Sequence, residues 1–313
     1  MTELAELIED FKLETHFRDD FVYHVYHECD PSAGRRVLKR REYWKRGKHL
    51  GSGGFGSVWL EECVDGRQNG QLRAVKDIQC PRGRVDYTRE LEALARFSKG
   101  SCARWFCQSF GWYEQDDKIH LTMEYFPLGD LQSYIIRSQE PLPEADAQEI
   151  TLQIIEGLEF MHKRNFAHRD IKPGNILLQS HPPQGWWIKI SDFGLSKRLR
   201  ESLAVSSSVI GTLAFMSPEQ QGFVSSNEET LPCPKAADIW AVGAMAHLLL
   251  TKRHLFSVPF ELYQYISQPN EYLPLRLLRE HIPLEASTFI QAAMTVDPQR
   301  RLTAEQALKS PWM

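Results

Sequence analysis

Between residues 170 and 192 the chain places Asp170, Lys172, Asn175 and Asp192. The set offers one candidate base, one phosphate-binding cation, and two oxygen ligands suited to a hard divalent ion. The apolar run Ile176-Leu177-Leu178 and the alternating run Trp186-Trp187-Ile188-Lys189-Ile190 predict two short strands. Paired as a hairpin, they would hold Asn175 and Asp192 near each other at one end, as a shared ion requires.

A second stretch suits phosphate from the backbone side. Leu50-Gly51-Ser52-Gly53-Gly54-Phe55-Gly56-Ser57-Val58 reads GxGxxGxV. Its glycines let main-chain N–H groups approach oxygens without Cβ clashes. In a dinucleotide fold a helix should follow such a run. Here Val58-Trp59-Leu60 continues as strand, and Ala74-Val75-Lys76 closes the next strand. Between Val85 and Phe97, Tyr87, Leu91 and Leu94 recur on one helical face, with Glu90 and Glu92 in the same stretch. Ile119 to Phe126 reads as a strand. Pro143 to His162 reads as an amphipathic helix with Ala147, Ile150, Ile154, Leu158 and Met161 on one face.

Taken in order, these parts resemble the protein kinase superfamily. His168-Arg169-Asp170-Ile171-Lys172-Pro173-Gly174-Asn175 resembles its catalytic loop, and Asp192-Phe193-Gly194 its metal loop. The resemblance extends over about residues 44–313. It implies an α+β, two-lobed fold: a small antiparallel-sheet lobe with one helix over about 45–126, then a larger, mainly helical lobe over about 127–313, with ATP in the cleft. It makes Asp170 the base, Lys172 the cation at the transferred group, and Lys76 the phosphate-holding lysine paired with Glu90. Asn175 and Asp192 become ligands of Mg²⁺, with Mn²⁺ as the alternative ion.

The resemblance also makes Met123 the gatekeeper. The backbones of Glu124 and Phe126 would meet the adenine edge, Asp130 would lie near the ribose or a basic substrate residue, and Leu50, Val58, Ala74 and Leu177 would form the apolar slot. Gly211-Thr212-Leu213-Ala214-Phe215-Met216-Ser217-Pro218-Glu219 resembles the end of an activation segment. Ser206, Ser207 and Ser208 are candidate phosphosites, and a phosphate there would pair with Arg169. His168 and Phe193 count as structural parts of the two loops. Asp238 in Asp238-Ile239-Trp240 resembles the family's buried central helix, and Arg301 is expected to pair with Glu219. Lys172 together with Thr212 is the serine/threonine pattern. A pseudokinase would lack one of Lys76, Asp170 or Asp192, and a small-molecule kinase would lack the segment ending at Glu219.

Composition sets the surroundings. The 313 residues are 42% hydrophobic and 25% charged, ordinary for a globular protein. The net charge of −4 gives no reason to expect nucleic acid. The six cysteines show no CxxC pair, so a reduced intracellular setting, cytoplasmic or nuclear, is expected. The start of the chain carries acids rather than a basic signal region, and no apolar run is long enough to span a bilayer.

Residues 1–44 read as an extension, acidic and then basic, either a solvated tail or one that folds back or docks a regulatory partner. Leu4, Leu7, Ile8 and Phe11 predict an amphipathic helix over Thr2 to Leu13, and Phe21 to His27 predicts a strand. His24, His27 and Cys29 lack a second half-site and read as structural side chains rather than metal ligands.

Overall fold

The computed structural model describes residues 8–30, 35–53, 56–79, 88–97, 100–192, 213–223 and 234–313. They fall into two compact units. One holds the described residues up to Ala103 together with Cys107–Tyr125, and the other holds Arg104–Phe106 and the described residues from Phe126 onward.

The first unit is built on strands β1 (Glu14–Phe17), β2 (Val22–Asp30), β3 (Arg35–Gly53), β4 (Gly56–Asp65), β5 (Leu72–Gln79), β6 (Ser109–Gln115) and β7 (Lys118–Glu124), with helix α1 (Thr88–Phe97). The seven strands form one sheet in the order β1-β2-β3-β4-β5-β7-β6. Neighbouring strands are antiparallel throughout. Period-two alternation puts Arg73, Val75 and Asp77 on one face of β5 and Ala74 and Lys76 on the other. Helix α1 buries Leu91, Ala93, Ala95 and Phe97.

The extension departs from expectation. The strand predicted over Phe21 to His27 is β2, but the predicted helix over Thr2 to Leu13 is helical, among the described residues, only at 8–10. Beyond it Phe11 and Leu13 pair with Trp112 of β6. Leu13 N donates to the Trp112 carbonyl at 2.8 Å, and Trp112 N donates to the Phe11 carbonyl at 3.1 Å. A parallel bridge joins Lys12 to Trp112. Those two backbone bonds outcompeted a last helical turn. Because β1 follows at once and occupies the opposite edge, the two edges meet and the sheet closes into a barrel-like ring. Gly111 permits the approach: its φ is +122°, and a Cβ there would lie 2.7 Å from the Phe11 carbonyl oxygen.

The second unit is mainly helical: α2 (Leu131–Arg137), α3 (Glu144–Lys163), α4 (Pro234–Thr251), α5 (Pro259–Ser267), α6 (Pro269–Arg279), α7 (Leu284–Ala293) and the short α8 (Ala304–Ala307), with a hairpin of β8 (Ile176–Ser180) and β9 (Trp187–Ile190). Ala147, Ile150, Ile154, Leu158 and Met161 of α3 are all buried, as their spacing predicts. Helix α4 is buried from Ala237 through Leu249, apolar all round apart from Asp238 and His247, and forms the centre of this unit. Among the described residues no helix is long and apolar enough to cross a membrane.

Candidate active site

Asp170 and its neighbours form one bonded cluster. Lys172 Nζ donates to Asp170 Oδ2 at 2.7 Å, and Asn175 Nδ2 donates to the same oxygen at 3.1 Å and to the Asp170 carbonyl at 2.7 Å. These two bonds orient the Asn175 amide so that its remaining polar atom, Oδ1, faces away from Asp170. The predicted hairpin is present, with Ile176 opposite Ile190. At its end Ser191 donates to the Asn175 carbonyl from N at 2.9 Å and from Oγ at 3.1 Å, which fixes Asp192 one residue from Asn175's bonding partner. A carboxylate and an amide oxygen are the donor types a hard divalent ion takes, so the residues present fit Mg²⁺.

The loop is held in an unfavourable conformation. Arg169 has φ +68° and Asp192 φ +62°, a region side chains larger than glycine rarely adopt. Asp238 of α4 over-determines the first: its carboxylate, 1% exposed, accepts from His168 N at 2.8 Å and Arg169 N at 2.6 Å. His162 Nε2 reaches the same carboxylate at 2.9 Å. The buried His168 ring accepts from Asp170 N at Nδ1 (3.3 Å), so its Nε2 carries the proton and donates to the Ser191 carbonyl at 2.8 Å. One imidazole therefore links the two loops.

Arg301 makes the expected pair with Glu219, as two parallel bonds of 2.7 and 3.0 Å. Its guanidinium also donates to the carbonyls of Thr295, Ala236 and Val296. Asp130 takes a role the sequence reading did not give it: Oδ1 accepts from Ser133 N at 2.7 Å, capping α2. An isolated bridge sets it beside Leu177.

In the first unit, β3 and β4 form the expected Gly-rich hairpin, with Gly51 opposite Val58, Ser52 opposite Ser57 and Gly53 opposite Gly56. Ser52 and Ser57 are hydrogen-bonded through their hydroxyls at 3.0 Å. Gly56 has φ +132°, and a Cβ there would collide with the Asp77 carbonyl, so no other residue fits. Leu50 ends this strand pair half-buried. Ala74 lies opposite Met123 and Lys76 opposite Leu121, and Lys76 is 6% exposed. The Glu124 N–H donates to the Gln108 carbonyl at 2.9 Å. In the second unit the Phe126 ring is buried beneath Lys189 Nζ at 5.5 Å.

Glu90 falls in α1, but its side chain lies outside the described residues, as do Gly54, Phe55, Phe193, Ser206, Ser207, Ser208 and Thr212. The sequence reading missed His162. Its signal was available: it follows Met161 at the end of the buried stripe of α3, in the turn that leads to the loop.

Residues 44–313 match the protein kinase domain family. The chain belongs to that family. Among curated kinases it is 32% identical over 276 residues to the serine/threonine-protein kinase RAD53 of Saccharomyces cerevisiae, covering 84% of this chain and 32% of that protein. It is 30% identical over 268 residues to the serine/threonine-protein kinase PLK4 of Drosophila persimilis, again 84% of this chain and 32% of that one. It is 31% identical over 269 residues to calcium/calmodulin-dependent protein kinase type 1 of Caenorhabditis briggsae, 84% of this chain and 70% of that one. The chain thus spans about a third of the length of the first two. A crystal structure of Rad53 1-466 in complex with AMP-PNP superposes with a TM-score of 0.68 at 29% identity, covering 86% of this chain and 65% of that one. By family this is a protein kinase domain, and the curated relatives named above are serine/threonine or calcium/calmodulin-dependent protein kinases. The cluster at Asp170, the anchor Asp238 and the Arg301–Glu219 pair all lie inside the matched span, whereas β1 and β2 lie before it.

Proposed function

We propose that the chain transfers the γ-phosphoryl group of ATP to serine or threonine hydroxyls of protein substrates. The observation that supports this most is the Asp170 carboxylate, held by Lys172 and Asn175 on a strained loop that Asp238 pins from below. Asp170 orients the substrate hydroxyl and accepts its proton, and Lys172, already 2.7 Å from that carboxylate, is placed to balance charge on the transferred group. Asn175 and Asp192 would hold Mg²⁺ or Mn²⁺, which supplies charge neutralisation on the phosphates when bound.

Lys76, supported by Glu90, holds the α- and β-phosphates, and the backbone of residues 51–57 covers them. In the first unit Leu50, Val58 and Ala74 would contact the base, with Met123 behind it and the backbone of Glu124 at its edge. The Rad53 complex with AMP-PNP supports nucleotide binding by this fold. Arg169 would receive a phosphate on Ser206, Ser207 or Ser208, and Ser-to-Ala replacement of all three should then lower activity.

The test is incubation of the chain with γ-labelled ATP, Mg²⁺ and a mixed peptide library. Label on serine or threonine is the expected result. Binding of ATP without transfer, or label on tyrosine alone, would overturn the proposal.

A further inference from the structure

Arg73 sits three residues before Lys76 on β5 and on the opposite face of the sheet. It is 1% exposed, and side chains of three other strands meet it, a fourth standing behind one of them. Glu61 of β4 accepts from its Nε at 3.1 Å and from its Nη2 at 2.7 Å. Trp44 of β3 lies under the guanidinium at 3.9 Å. His24 of β2, fully buried, stands 2.8 Å from Nη2 through its Nε2, and its Nδ1 is bonded at 2.9 Å to Thr15 Oγ1 of β1. Thr15 and His24 precede the residues that match the kinase family, whereas Arg73, Glu61 and Trp44 lie within them.

The far edge of the sheet is shaped for the same segment. Gly111 of β6, also inside the matched span, has the positive φ and the missing Cβ that let the Phe11 carbonyl approach. Trp112 Nε1 donates to the Ile8 carbonyl at 3.2 Å. Both β5 and β6 therefore bond the extension through residues inside the matched span.

We infer that residues 11–27 are a positioning element for phosphoryl transfer: through the Thr15–His24–Arg73–Glu61 bonds they fix the height and twist of β5 and so the place of the Lys76 ammonium. The inference rests on reading Lys76 as the phosphate-holding lysine. The physical reason is one of tolerance. A functional constellation works best while its groups are held within about half an ångström of their productive places, so a misplaced donor weakens its bond to phosphate. Lys76 stands on a strand whose opposite face would otherwise be an open sheet surface, free to shift in twist. Clamping Arg73 from β2, β3 and β4, with β1 behind His24, removes that freedom without touching nucleotide.

The test uses the full chain with His24→Leu, which keeps bulk but removes both ring nitrogens, and His24→Gln, which keeps an acceptor for Arg73. Steady-state transfer from Mg-ATP to a serine peptide is measured along with ATP affinity by direct titration. His24→Leu should raise KM and Kd for ATP about five- to tenfold with kcat within about twofold, and His24→Gln should recover most of that loss. A lowered thermal midpoint with both constants unchanged would make the extension a stabiliser only and overturn the inference.

Hydrogen exchange on the unsubstituted chain decides the matter even if the leucine variant does not fold. Amides of Tyr23–Val25 and Ala74–Lys76 should open together. Early opening of the first set with the second still protected would sink the inference. A chain that neither binds ATP nor transfers phosphate would instead remove the functional reading, and the exchange result would still stand by itself.

Discussion

Asp170 accepts from two side chains at one oxygen, and that arrangement makes its removal diagnostic. In Asp170→Asn the amide keeps the shape but cannot take a proton, and it leaves Lys172 without its 2.7 Å partner. We expect kcat to fall by about three orders of magnitude while ATP affinity changes less than about threefold, measured by single-turnover transfer and by titration. Asp238 acts one step further out. It neutralises two main-chain N–H groups that a positive φ at Arg169 would otherwise leave unsatisfied in a buried place. Asp238→Ala removes three bonds at once and should destabilise the chain by about 3 kcal/mol or more, read from urea midpoints. The types and spacing of Asp170, Lys172 and Asn175 were legible because loop chemistry is local. Asp130 was not, because its capping bond to Ser133 depends on where α2 begins rather than on the motif before it.

At the scale of elements, the β8–β9 hairpin could be read from an apolar run and an alternating one and the α3 stripe from its period, whereas the buried α4, apolar all round, was legible only through the resemblance carried by Asp238-Ile239-Trp240. The partnership of Phe11–Leu13 with Trp112 could not be read, since it joins residues about a hundred positions apart and no pattern in either segment names the other. The acidic and basic runs left open a solvated tail or one that folds back; the strands show the second, and Arg46 of the basic run pairs with a carboxylate of β5. Arg46 bonds Asp77 at 2.8 and 3.1 Å, and His120 bonds the same carboxylate at 2.7 Å. Burial would raise the Asp77 carboxyl, but the bonds from His120 and Arg46 outweigh it and hold it below the usual range.

The closure gives a stability test: Gly111→Ala forces a Cβ to 2.7 Å from the Phe11 carbonyl at a φ of +122° and should lower the thermal midpoint by several degrees. A pH dependence follows from His24. Burial first, and the Arg73 charge second, push its imidazole from the usual histidine range down to about 2. Around it stand Thr15, Tyr26, Arg73 and Tyr113, with Glu42 opposite in register. Between the two values the unfolded chain binds the proton and the folded one does not, so stability rises with pH there. It is fully present above about 6.5 and declines by up to about 1.4 kcal/mol per unit as pH falls below that. The half-buried His254, lowered by burial and by His247, adds a change of the same sign. Carboxylates such as Asp77 begin to contribute only at lower pH. Urea midpoints from pH 7.5 to 5 should therefore fall, and His24→Gln should flatten the slope.

For the whole molecule, nucleotide binding and folding are linked, because a ligand held only by the native chain stabilises it by RT ln(1 + [L]/Kd). At a hundredfold excess over Kd that is about 2.7 kcal/mol, enough to move a melting curve by a few degrees. The residues assigned to the ion and to the proton should separate in this measurement. Asp170→Asn leaves Asn175 and Asp192 in place, so Mg-ATP should still raise its melting temperature nearly as much as in the unsubstituted chain. Asp192→Asn would remove the proposed charged ligand, next to the bond from Ser191 to Asn175, and should lose most of the shift. Adding a chelator of divalent ions to the unsubstituted chain with ATP should have the same consequence, since the triphosphate then arrives with its charge unbalanced. If both aspartate variants respond alike, either the ion is not held by Asn175 and Asp192 or binding is dominated by residues of the Gly-rich hairpin and Lys76. A chelator titration of Asp192→Asn distinguishes these: residual stabilisation that still depends on Mg²⁺ means another ligand holds the ion, and stabilisation indifferent to Mg²⁺ means the hairpin and Lys76 carry the affinity.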